Sequence, residues 1–316
     1  MTNINIQLKS IGSFFVGGNT KKLENMPVEY RSMVLNGAPR EINPNGHHTY
    51  GQMYVQYFTQ AAPRHELPVL LWHGGGMTGA TWENTPDGRP GWLMRFLEAG
   101  YDVMCSDATE RGRASFSMTP QIFRESPVFR TAEEGWKTFR LGLHYSQRLD
   151  ECHTFPGLLF PVDYFSEFTK QWVPRWPAHE DMILAAYEAL VEKVGPCIVV
   201  GHSQGAGFAA EIARRRPELI RCVVAVEPGG MPAEGPATPL PPHLVVWGDH
   251  IEASGSHWMG YRKQANAYFG LTISAPSITT LDLPGRGITG NSHFPMMDTN
   301  SDQIFDLVND WLTSVV

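Results

Sequence analysis

The chain has 316 residues, 42% of them hydrophobic and 18% charged, which supplies a large buried core and excludes wholesale disorder. A net charge of −7, with 25 basic and 32 acidic residues and no basic tract, argues against a nucleic-acid or anionic-membrane partner. No apolar run is long enough to span a bilayer, and the first twenty residues lack the basic start and apolar stretch of a signal peptide, so a cytoplasmic protein is expected.

In chain order, residues 1–50 are expected as an N-terminal extension packed on the core. Residues 51–60 (GQMYVQYFTQ) alternate apolar and polar side chains, as a half-exposed strand does. LPVLLW (67–72) is an unbroken apolar run, the mark of a strand covered on both faces. PGWLMRFLEAG then reads as a helix ending at Gly100, and YDVMCSD (101–107) as the next strand. The stretch 114–180 breaks this alternation with crowded aromatics and six prolines. It is expected as an inserted, mostly helical cap on a core made of 1–113 and 181–316. Most of its aromatics should pack the cap's own small core. Trp136, Phe160, Trp172 and Trp176 are the candidates for lining an apolar substrate pocket. Residues 178–194 follow Pro177 and carry Ile183, Tyr187, Leu190 and Val194 at helical spacing before Gly195. PCIVVG (196–201), RCVVAVE (221–227), HLVVWG (243–248) and ITTLDL (278–283) supply four more strands, with a loop over 228–242. A last helix covers 302–314, with Ser301 as its expected N-cap. The repeated strand–helix order predicts a mostly parallel central sheet flanked by helices.

Cys105, Cys152, Cys197 and Cys222 form no C-x-x-C pair, and the twelve histidines include no H-x-x-x-H pair with a carboxylate neighbour. Neither a disulfide framework nor a metal site is expected. The strongest chemical signal is Gly201-His202-Ser203-Gln204-Gly205. It directly follows a buried strand and precedes a helical run, the setting in which a tight turn exposes a serine hydroxyl above a sheet. A serine needs a base within hydrogen-bond reach. His293, between the last strand and the last helix, lies in the right place; His257 comes too early, and His243 and His250 read as structural. The acid that orients the base is open on spacing alone: Glu227 ends one strand, Asp249 ends the next, and Glu252 lies a little beyond. His73-Gly74-Gly75-Gly76 follows a strand and reads as an oxyanion loop. The N–H of Gly74 or Gly75 would be one donor and that of Gln204 the other. The same glycines satisfy G-x-G-x-x-G with Asp107 on the next strand, a dinucleotide-binding pattern that competes with a complete hydrolase set. No phosphate-binding G-x-x-x-x-G-K-[ST] occurs.

With these residues assembled, the chain resembles the α/β-hydrolase superfamily from about residue 50 to its end. More narrowly it is similar to a small group of bacterial serine carboxylesterases. GSFFVGG (12–18), HGGGMTGATWENTPDGRPGW (73–92), DATERGRAS (107–115), GHSQG (201–205), VEPGG (226–230), VVWGDHIE (245–252) and GNSHFPMMD (290–298) carry the likeness. The resemblance implies the α/β-hydrolase fold with a helical cap, a homodimer, no cofactor, and a glutamate acid after the sixth strand, which here is Glu227. The expected activity is hydrolysis of a small to medium hydrophobic ester by Ser203, His293 and Glu227. A lactone, thioester or C–C bond hydrolysed by the same residues, or a non-catalytic ligand receptor on the same fold, is the alternative.

Overall fold

In the computed structural model the described residues are 5–117, 119–235, 240–255, 257–270 and 278–316. Eight strands form one sheet: β1 (Leu8–Leu23), β2 (Gly46–Gln60), β3 (Val69–Trp72), β4 (Val103–Asp107), β5 (Cys197–His202), β6 (Ile220–Val226), β7 (His243–Trp247) and β8 (Ile278–Asp282). Their spatial order is β1-β2-β4-β3-β5-β6-β7-β8. β1 runs antiparallel to β2 and β2 antiparallel to β4; every later pairing is parallel.

The apolar runs make the centre of this sheet because β3, β5, β6 and β7 bury both faces. Val69, Leu71, Ile198 and Val200 point into one core with Trp92, Phe96 and Phe305. Leu70, Trp72, Val199 and Val223 point into the other with Ile183, Tyr187 and Ile212. Alternate residues therefore serve opposite helical layers. The longer helices are α1 (Trp92–Ala99), α2 (Ala132–Thr138), α3 (Glu180–Val194), α4 (Gln204–Arg215), α5 (Trp258–Gly270) and α6 (Ser301–Val315). Gly100 ends α1 in the left-handed region, at φ 94°. Asn300, not Ser301, caps α6; the Ser301 hydroxyl instead accepts a hydrogen bond from Arg89 at 3.0 Å. Among the described residues no helix is long and apolar enough to cross a membrane.

The segment 114–180 is less helical than expected. It holds α2, a short helix Phe165–Thr169, a hairpin pairing Gly142–His144 with His153–Thr154, and otherwise turns and loops. Its prolines interrupt the runs a longer helix would need. Trp136, Phe160 and Trp172 pack with Phe165 and Phe168, mostly edge-to-face, in a cluster continuous with the main core. Trp136→Ala is accordingly expected to cost about 3–5 kcal/mol of stability. Relative kcat/KM across esters of different length should stay unchanged, and a shift in that preference would return Trp136 to the site.

Candidate active site

Ser203 stands between β5 and α4 at φ 53°, ψ −120°. Such a backbone costs of order 1–3 kcal/mol and persists only where the surroundings hold it. They do so by close approach. A Cβ on Gly205 would lie 2.5 Å from the His73 carbonyl oxygen, and one on Gly201 would lie 2.6 Å from that of Gly205. The Ser203 N–H donates to the Val226 carbonyl at 2.9 Å, and its own carbonyl accepts from Gly229 N–H at 3.0 Å. Ser203 and His293 line one cavity of about 290 Å³.

His293 is buried, and its ring lies 3.9 Å from that of Trp258 and stacks on Phe139 at 5.7 Å. Its main chain is pinned at both ends. The N–H donates to the Phe139 carbonyl at 3.1 Å, and the carbonyl accepts from His202 Nε2 at 2.8 Å. Nδ1 lies 3.1 Å from Glu227 Oε2. With its proton on Nδ1 and directed at Glu227, the imidazole keeps a lone pair on Nε2 for a serine proton. Glu227 directly follows β6 at φ 52°, fully buried, its N–H bonded to the Val246 carbonyl at 2.8 Å.

Glu227 has a second partner that no motif announced. Arg140 grips it with both guanidinium nitrogens, Nη1 to Oε2 and Nη2 to Oε1, each at 2.7 Å. Its Nε donates to the Asp249 carbonyl at 2.7 Å. Both side chains are fully buried, so this fork fixes the carboxylate in the plane it presents to His293. The guanidinium also offsets the carboxylate's field at the imidazole. Burial, then Arg140, Arg130 and His257, hold His293 well below the usual 6.5. The ring is thus neutral at physiological pH. A base works only unprotonated, so kcat/KM should stay level as pH falls through 6.5 and decline only in more acid solution. An acid limb centred at or above 6.5 would contradict this.

Asp249 is occupied elsewhere. Its Oδ1 accepts from His250 N–H at 2.7 Å and its Oδ2 from Gly290 N–H at 2.8 Å, tying the end of β7 to the loop that carries His293. Asp298, unremarked in the sequence, braces the same loop. It accepts from Ser292 N–H at 2.8 Å, Ser292 Oγ at 2.7 Å and Asn291 Nδ2 at 2.9 Å, and burial pushes its carboxyl up to about 7. Glu252 is exposed. His243 is buried with Nδ1 on the Pro241 carbonyl at 2.7 Å, burial lowering it to about 4. His250 stacks on Phe155. His257 lines the cavity but packs on Trp258.

Gly74 lies tight against the serine, where an added Cβ would be 3.1 Å from Ser203 Cβ. The amides of Gly74, Gly75 and Gln204 donate no hydrogen bond among the described residues, which leaves them free to face developing negative charge. His73 sets the loop: its Nε2 accepts from Ala108 N–H at 3.0 Å and its Nδ1 donates to the Gly74 carbonyl at 2.8 Å, burial lowering it to about 4. The dinucleotide pattern fails on geometry. Asp107 accepts from Gly79 N–H at 2.8 Å and from Arg113 N–H and Nε, each at 2.8 Å, so it is spent inside the protein.

The aromatic lining differs from expectation. Trp136, Phe160 and Trp172 are core residues, and Trp176 packs on Phe116 and Phe123 with Nε1 on the Glu125 carbonyl at 2.9 Å. None of the four lines the cavity beside Ser203; Phe139, Trp258 and Tyr261 do, two of them from α5, together with Arg130 and Arg175. The four expected aromatics are instead consumed by packing.

A family model described as the alpha/beta hydrolase fold matches residues 67–247. A solved bacterial esterase is similar over 98% of this chain and 97% of its own, with 30% identity and a TM-score of 0.85. A fungal protein named probable secreted lipase phiG is 32% identical over 196 residues, 57% of this chain and 50% of that protein. The chain thus spans about half the length of that curated relative.

Proposed function

The chain belongs to the α/β-hydrolase family, and from that premise we propose that it hydrolyses carboxylic esters through an acyl-enzyme on Ser203. The observation that carries this reading is the strained serine turn opening on the same cavity as a neutral, Glu227-bonded His293. Ser203 Oγ attacks the ester carbon as its proton passes to His293 Nε2. Glu227 stabilises the imidazolium, and the amides of Gln204 and Gly75 or Gly74 receive the oxyanion. The acyl–oxygen bond then breaks and His293 returns the proton to the leaving alcohol. A water, deprotonated by the same imidazole, attacks the acyl carbon and releases the acid and free serine. The cavity volume suits a small to medium ester whose apolar part lies on Phe139, Trp258 and Tyr261. The resemblance of the bacterial esterase over nearly its whole length supports the reaction class.

A fluorophosphonate probe should label Ser203, and p-nitrophenyl acetate should turn over with an acyl-enzyme burst or a steady rate abolished by the probe. Absence of both would favour a non-catalytic receptor on the same fold. The same proposal places the protein in the cytoplasm as a homodimer. Its four cysteines are free thiols, in keeping with a reducing compartment, and sedimentation would check the dimer.

A further inference from the structure

The geometry points to an ester bearing a free carboxylate as the preferred substrate, with Arg175 holding that carboxylate beside the scissile carbonyl; this rests on the esterase reading above. Two arginines line the cavity. Arg130 is already engaged: its Nε pairs with Glu134 at 3.0 Å and its guanidinium lies 4.5 Å above the Phe139 ring. Arg175 is not. Among the described residues its guanidinium has no carboxylate within 4.0 Å and makes no hydrogen bond. Its main chain is nevertheless fixed, bonded to Val128 in both directions at 2.8 and 3.0 Å. A pinned backbone thus presents a partnerless, half-buried cation to the cavity.

The position of that cation is specific. A Cβ on Gly75 would lie 2.5 Å from Arg175 Nη1, and 3.1 Å from Gln204 Oε1. The third residue of His73-Gly74-Gly75-Gly76 must therefore lack a side chain for the guanidinium to lie against the oxyanion loop. Arg175 thus lies against Gly75, one of the residues whose amides would receive the oxyanion. The other acid on the rim, Glu180, accepts from Gln204 Nε2 at 3.4 Å and does not neutralise Arg175. A planar fork of N–H donors in a partly desolvated cavity matches a carboxylate in two parallel hydrogen bonds. The leaving oxygen must face His293, which protonates it, whereas Arg175 abuts the oxyanion loop. The carboxylate accordingly belongs to the acyl part, a short chain away from the carbonyl. The substrate class is the half-ester of a short dicarboxylic acid, hydrolysed by one water to the dicarboxylate and an alcohol.

The test compares monoethyl succinate with ethyl pentanoate, its near-isosteric neutral counterpart, by ethanol release. Wild type should favour the half-ester by about tenfold or more in kcat/KM, as a charge-assisted pair implies. High salt should narrow the ratio. In Arg175→Met the ratio should collapse towards one, and Arg175→Lys should keep part of it. A binding arm uses Ser203→Ala, with and without Arg175→Met, and calorimetry with the same two compounds. Equal handling of both esters by wild type in turnover and binding overturns the assignment. So does an Arg175→Met variant that loses both substrates by the same factor, which would make Arg175 a support of the oxyanion loop. No turnover, with the Arg175-dependent binding preference intact, would overturn the esterase reading alone and leave the carboxylate site standing.

Discussion

On the mechanism proposed above, Ser203→Ala is expected to lower kcat by about 10⁴-fold or more, a barrier increase of roughly 5 kcal/mol, because the Ser203 oxygen would form the covalent bond. What remains would come from binding and from amides still aimed at the oxyanion. The turn itself should survive, since its geometry is held by Gly201 and Gly205 packing against neighbouring backbone rather than by the serine side chain. The measurement is kcat with p-nitrophenyl acetate, with melting temperature as the folding check. Turnover within about tenfold of wild type in a folded variant would remove serine catalysis from consideration.

The second large effect separates Glu227 from Asp249. Glu227→Gln should lose about 10⁴-fold in kcat, because the amide cannot stabilise the imidazolium that forms as the serine proton moves. It should also leave the buried Arg140 guanidinium without its counter-charge, and breaking such a pair costs about 3–5 kcal/mol. Activity must therefore be normalised to folded protein. The double variant Glu227→Gln with Arg140→Met, which removes the stranded charge, should recover stability without recovering rate. Asp249→Asn should keep kcat within about tenfold, since both carboxylate oxygens serve loop amides and neither faces the imidazole. Should Asp249→Asn be the crippled variant and Glu227→Gln the active one, Asp249 is the acid and the Glu227–Arg140 pair is architecture.

Sequence and structure agree where burial is two-sided. β3, β5, β6 and β7 could be read from composition alone because the sheet interior admits little else than apolar side chains. β1 escaped notice because only Val16 and Leu23 along it are buried; its long pairing with β2 is made by backbone, which leaves no side-chain pattern. α5 escaped because two glycines and few buried positions blur its periodicity. Ser203, His293 and the 73–76 glycines could be singled out from the sequence because particular residues stand at particular turns, and the fold brings them around one cavity or against the serine. The choice between Glu227 and Asp249 was not legible from spacing: they stand at the ends of adjacent strands, and only the fold puts Glu227 beside His293. An arginine between two ordinary residues carries no periodic signal, and only the fold brings Arg140 to Glu227 and Arg175 to the cavity.

The interior histidines have a consequence for proton traffic during unfolding. His73, His202, His243 and His293 are all held neutral by burial, two of them down to about 4. Released into water, each would titrate near 6.5. Between that pH and their folded values the unfolded chain binds protons that the native one refuses, so stability falls as pH falls, by about 1.4 kcal/mol per pH unit for each histidine. Asp298 works in the opposite sense: its carboxyl, raised to about 7, holds a proton in the fold that it gives up on unfolding above the ordinary carboxylate range. Histidine uptake outnumbers that single release. Melting near pH 5.5 should therefore consume protons from the buffer, and the apparent unfolding heat should change with the ionisation enthalpy of the buffer chosen. The oily interior that keeps His293 neutral would in this way make the fold less stable as the solution turns mildly acid.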